Sequence, residues 1–224
     1  MAYSSLKDLA YVFVDGYDIA PAVESARMRT GALVVSKHFA GNVFPTAIDT
    51  GIRSGELEIG AVLTSTTDQV NAVNGTGRVV SLPIEGNTAG NRCYTFQSAK
   101  VESIEVGVSQ DDVDSLNPGF IVAGEVNFGF IVHAYAERTT AGNTDAADVD
   151  FAAAVPAGAH AVLHVCAIDA GGGNGLTVTL RDCCDADTYG DHTAFTKTDA
   201  VGAEVVALAT ATDRYLSVSW AWDE

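Results

Sequence analysis

Short runs of alternating apolar and polar residues, separated by glycine, asparagine and aspartate, recur along the whole chain. Residues 10–14 read as a strand, and Asp15-Gly16 supplies the tight-turn signal that follows it. A second short strand is expected at 32–36. The next stretch, 37–55, contains His38, Gly41, Asn42, Pro45 and Gly51 and reads as a long polar and glycine-rich connection. Alternation returns at 57–63. One helix of about two turns is expected from Thr66 and Gln69, which have capping-box spacing, with Gly75 as its stop. Strands resume at 78–84, 92–97 and 100–109. Residues 119–138 are unusually apolar and are broken by Gly124 and Gly129. Two long neighbouring strands explain that stretch better than a helix, which glycines and β-branched residues oppose.

Residues 139–158 are rich in Ala, Thr, Asp and Gly and interrupt the pattern, so they read as a linker between a β domain at 1–138 and a smaller β module at 159–224. Four strands are expected in that module, at 159–168, 175–181, 204–209 and 214–222. The last alternates cleanly, with Leu216, Val218, Trp220 and Trp222 on one face and Tyr215, Ser217, Ser219 and Ala221 on the other. Short strands with turn signals at such spacing predict an all-β sandwich or barrel.

Composition agrees with this reading. The chain has 224 residues, 47% of them hydrophobic, and needs neither disulfide nor metal to hold a core. Its formal net charge is −17, with acid spread along the chain: 16 acidic and 9 basic residues up to position 138, and 13 and 3 beyond it. A field of that sign repels phosphate backbones and argues against gripping nucleic acid. Residues 1–9 lack the pattern of a signal peptide, and no apolar run approaches the ~20 residues of a membrane helix. Synthesis in the cytoplasm and no membrane partner are the expectations. The four cysteines, Cys93, Cys166, Cys183 and Cys184, have no C-x-x-C spacing and leave the redox compartment open.

Candidate chemistry is sparse. Residues 182–192 gather Asp182, Cys183, Cys184, Asp185, Asp187, Asp191 and His192, loosely echoing a calcium loop. Tyr189 and Thr196 stand where that loop needs ligands, so a plain hairpin is the better account. His160 and His164 are four apart, but on a strand that spacing only puts them on one face, and no Glu lies between them. Residues 171–175 are glycine-rich without the Lys-Ser/Thr of a P-loop. Trp220 and Trp222 suggest either a sugar-stacking platform or, more simply, core. No catalytic residue, metal ligand or cofactor is expected, and the chain reads as non-enzymatic.

Residues 9–20, with Val14-Asp15-Gly16-Tyr17-Asp18-Ile19, resemble the opening of the major tail (tail-tube) proteins of siphovirus-type long-tailed bacteriophages. Residues 161–168, 176–182, 187–189 and 213–220 resemble the closing module of the same family. Together the two segments span about half of the chain. The resemblance implies a β-sandwich or barrel that assembles into stacked hexameric rings. These would form a tube that encloses a tape-measure protein and then conducts double-stranded DNA without binding it specifically. It also implies location in the virion tail, other tail proteins as partners, and long strands within 100–109 and 119–138 lining the inner barrel. Glu102, Glu105 and Glu125 are then candidate lumen carboxylates, with ordinary solvent-facing acids as the alternative. A head decoration or head-tail joining role, or a carbohydrate-binding β module, are the rival functions.

Overall fold

The computed structural model describes residues 11–19, 23–37, 46–62, 77–108, 115–122, 126–168, 175–196 and 198–222. In chain order the first strands are β1 (Phe13–Val14), β2 (Tyr17–Asp18), β3 (Val23–Lys37), β4 (Thr46–Val62) and β5 (Arg78–Pro83). There follow β6 (Arg92–Gly107), β7 (Ser115–Val122), β8 (Val126–Phe130), β9 (Gly142–Asn143) and β10 (Val149–Asp150). The last are β11 (His160–Val165), β12 (Leu176–Cys183), β13 (Gly190–Ala194), β14 (Gly202–Ala207) and β15 (Tyr215–Trp222). Among the described residues the only helical element is a 3-10 turn, Asp145–Ala147. The protein is all-β with antiparallel sheets, as its pattern predicts. The helix expected near 66–75 lies outside the described residues.

The chain divides into two compact units. One comprises 1–21, 81–94 and 128–224, the other 22–80 and 95–127. This division differs from the expected boundary at 139–158.

In the second unit the strand order is β6-β7-β4-β3. Period-two alternation gives this sheet two unlike faces. Leu57 pairs with Met28 on one side and with Phe120 on the other. Together with Ile59 they form an apolar face on which Leu57, Ile59 and Phe120 are buried. The opposite face carries the cross-strand pairs Arg27–Glu58 and Arg29–Glu56, with Lys100 paired to Ile121. Residues 46–55, expected to be connection, are strand. Pairing such as Thr30 with Gly55 and Gly31 with Ser54 overrides their weak intrinsic preference. The expected break at Ser98-Ala99 is likewise absent, because Ala99 and Lys100 pair with Val122 and Ile121 and keep β6 continuous. β7 pairs with β4 only over residues 55–62, so beyond it β3 and β4 continue as a two-stranded ribbon among the described residues.

In the first unit, β1 and β2 form a hairpin across Asp15-Gly16, both at positive φ. The C-terminal residues build a sandwich: a sheet of order β10-β15-β12-β13, with β9 also on β15, and the two-stranded sheet β11-β14. Leu180, Leu208 and Leu216 form its core, with Phe151, Val155, Ala161 and Val218 packed against them. All four expected C-terminal strands are present. The expected linker is instead laced onto the last strand. Thr144 donates its backbone N–H to the Val218 carbonyl at 2.9 Å, and its Oγ1 accepts from the Val218 N–H at 2.9 Å. Thr212 and Val155 are joined twice more, through backbone and side chain. Polar residues that look like spacer in sequence thus serve as edge pairing. Of the expected long strands at 119–138, the structure has β7 and the short β8, and 131–138 is irregular.

Candidate functional site

The far half of β6 leaves a run of apolar side chains uncovered. Ile104, Val106 and the following Val108 are 45%, 53% and 78% exposed, and residues 102–106 are exposed on both faces of the strand. The Ile84 N–H to Arg92 carbonyl bond sets the register of β5, which begins at Arg78 opposite about residue 98. β8 also pairs with β6, its end held beside residues 90–91 at the near end of that strand, and from Ala99 to Gly107 the partner given by the described residues is β7. An open edge beside exposed β-branched side chains is what sheet proteins normally cover, and it is a template for another strand.

Of the acids singled out in sequence, Glu102 and Glu105 are exposed on this stretch, and Glu125 lies outside the described residues. Glu102 occupies a bulge. Val101 pairs with Phe120 and Ser103 with Gly119, leaving Glu102 without an opposite residue. Glu105 pairs with Asn117 on the polar face, which it shares with Glu56, Glu58, Arg27, Arg29 and Lys100. That face therefore mixes both signs of charge rather than presenting acid alone.

A second arrangement, in the first unit, escaped the sequence reading. His160 and His164 both lie on β11, but His160 is exposed and His164 is half-buried. The His164 ring stacks on Phe13 with centroids 5.5 Å apart. Its Nδ1 accepts the Gly16 backbone N–H at 3.3 Å, and its Nε2 lies 2.8 Å from Ser81 Oγ. With Nδ1 accepting, the ring proton sits on Nε2 and is donated to Ser81. This is the reverse of the tautomer that would draw a proton from a serine nucleophile, so the pair as built is not a base and its nucleophile. Burial pushes the His164 pKa down to about 4, and the nearby Asp15 carboxylate opposes this. Gly16 is required here. At φ +84° it lies so close to β11 and β14 that a Cβ would fall 2.5 Å from the Val165 carbonyl oxygen and 2.6 Å from that of Gly202. Phe13 is also flanked by Tyr11 and Tyr135, and the Tyr135 backbone is held in place by Asn87 through both its N–H and its carbonyl. The sequence signals were the Asp-Gly turn and the His160/His164 pair; nothing local points to a serine 83 positions from its histidine.

Residues 182–192 form the expected hairpin between β12 and β13. The Cys183 thiol donates to Asp185 Oδ1 at 2.8 Å and, with the Asp187 N–H, holds that carboxyl below the usual range. Asp182 accepts from the Asp213 N–H and pairs with His192 at 3.1 Å. Among the described residues no three His, Cys, Asp or Glu side chains gather so as to hold a metal. Beside the hairpin, Arg181 bridges Asp145 and Asp191 and donates to the Tyr189 carbonyl, while Ser217 donates to Asp145. The Tyr189 hydroxyl donates to Asp148; burial and that carboxylate raise its pKa well above the usual phenol range. Trp220 is half-buried and engaged by its neighbours. The Arg138 guanidinium lies 4.5 Å over its ring, His133 meets its edge, and Gly142 packs closely against it. Residues 171–174 lie outside the described residues.

No protein-family model matches the chain, and no curated protein matches it. Among solved structures it is similar to a chain from the virion of a native gene transfer agent particle. That match has a TM-score of 0.45 and 14% identity, and covers 57% of this chain and 99% of the other. A chain from the tail of an empty gene transfer agent particle with C6 symmetry gives 0.46 and 16%, again over 57% and 99%. The SPP1 Dit (gp 19.1) protein gives 0.34 and 13%, over 96% and 99%.

Proposed function

We propose that this chain is a non-enzymatic virion structural protein that assembles with copies of itself into stacked hexameric rings, forming the tube of a phage tail. One observation carries the reading: among the described residues the far half of β6 has one edge without a paired strand, and its Ile104, Val106 and the following Val108 are exposed. A second copy placed along this edge would continue the sheet and cover those side chains, the usual remedy for an unprotected edge strand. The sequence resemblance at residues 9–20 and in the closing module supports the tail-tube form of that assembly. The resulting tube would enclose a tape-measure protein and pass DNA. Glu102, Glu105 and Glu125 are proposed to face the lumen, where acid keeps phosphate from adhering.

Negative-stain electron microscopy of the purified protein across a concentration series, beside light scattering, tests the reading. Hollow tubes or stacked six-fold rings are expected, and Val106→Asp should leave a folded monomer that no longer assembles. Wild-type protein that stays monomeric at every concentration overturns it and favours a capsid-decorating role, whereas small closed oligomers favour a joining ring. Charge reversal of the three acids that slows neither assembly nor DNA ejection overturns the lumen assignment alone.

A further inference from the structure

The junction at His164 brings together three segments distant in sequence: the 13–18 hairpin, β5 at Ser81, and β11. All belong to the first unit. We infer that His164 is an acid-released latch, whose neutral ring pins the Asp15-Gly16 turn onto the β11-β14 sheet and whose protonation frees that turn while the rest of the sandwich stays folded.

The geometry gives the reason. A backbone N–H can donate to Nδ1 only while Nδ1 carries a lone pair. Once Nδ1 is protonated, two N–H groups confront each other at 3.3 Å, and a partly desolvated cation sits against Phe13. Neither direct hydrogen-bond partner supplies a negative charge, since one is a backbone amide and the other the Ser81 hydroxyl. Asp15, on the turn itself, is among the described residues the group whose charge favours the protonated ring. Tyr17 and Asp18 lie on the same hairpin, and Tyr135 packs on Phe13 from the 131–138 segment. On β14, Glu204 is committed to the Thr196 N–H and hydroxyl at 2.8 Å. On β11 itself, His160 is exposed. Opening the turn lets the ring reach water, where an imidazole takes a proton near its ordinary pKa of about 6.5. Acid therefore draws the open form. Gly16 makes the closed form a close fit, because a side chain there would meet the Val165 and Gly202 backbones. The inference concerns the fold of one copy and does not rest on the assembly reading.

Hydrogen exchange of the full-length protein, read by mass spectrometry over a pH series and corrected for intrinsic rates, tests it. Protection of 11–19 should fall about 100-fold between about pH 7.5 and pH 4, the span from a free imidazole to the buried one. Peptides covering β12 and β15 should keep their protection. In His164→Gln, which cannot titrate, the pH dependence at 11–19 should flatten. Uniform loss across the sandwich, or protection at 11–19 that ignores pH, overturns the latch. Should the variant not fold, 15N resonances of the wild-type ring decide. A ring protonated on Nε2 and still neutral near pH 5 is expected, and one protonated on Nδ1, or titrating like a free imidazole, overturns it.

Discussion

Gly16 is the residue whose replacement has the most predictable cost. Alanine there would combine a positive φ with overlap against backbone atoms that have no rotamer to retreat into. Gly16→Ala should destabilise the fold by about 2–3 kcal/mol, read as a lower midpoint in urea. His164 sets a pH dependence at the same place. Its pKa is depressed on folding, so its contribution is complete above about pH 6.5 and is lost as pH falls through about 4. On the order of 3 kcal/mol is at stake across that window, and His164→Gln should remove this part of the slope in a stability–pH curve. Tyr189 behaves oppositely in sign. With its hydroxyl committed to Asp148, it should show no tyrosinate absorbance where exposed tyrosines already ionise, whereas Tyr189→Phe leaves Asp148 short of a donor at a cost of about 1 kcal/mol.

Elements in this protein are held by side chains as much as by ladders, and the two arginines of the closing sheet separate the cases. Arg181 is 19% exposed and joins the 145–147 turn, β12 and the β13 hairpin. Arg181→Met should cost roughly 2 kcal/mol, because it strands the partly covered carboxylate of Asp145. Arg214 makes an equally direct pair with Asp150, but both side chains are nearly half exposed, so Arg214→Met should have a clearly smaller effect in the same denaturation experiment. This scale also explains what was legible in the sequence. The closing strands were readable because Leu216, Val218, Trp220 and Trp222 alternate against small or polar neighbours and turns bound each run. β13, within the acidic hairpin, and residues 46–55 were not, since their strand character comes from partners rather than from their own residues. The 139–158 segment misled for a related reason. Thr144, Asp145, Asp148 and Asp150 look like spacer until Val218, Arg181, Tyr189 and Arg214 are brought to them. Glu102 and Glu105 could be named from their strand, but not the bulge at one or the mixed-charge face holding the other.

For the whole molecule, charge and order of synthesis matter most. At −17, copies repel one another at long range, which opposes any association through β6. Raising the ionic strength from about 0.02 M to about 0.5 M shortens the screening length several-fold and should promote assembly in light scattering. If salt instead dissolves assemblies, ion pairs rather than apolar contact hold the copies together. The histidine junction has a further consequence in time. Gly16 and His164 are separated by 148 positions. A ribosome adding about 5–20 residues per second has therefore released the 13–18 hairpin roughly 7–30 s before its partner exists. Through that interval the aromatic side chain of Phe13 has no histidine ring to close over it. The nascent hairpin is thus a client for whatever shields apolar segments on the ribosome, and a stall before residue 164 would leave that need unmet.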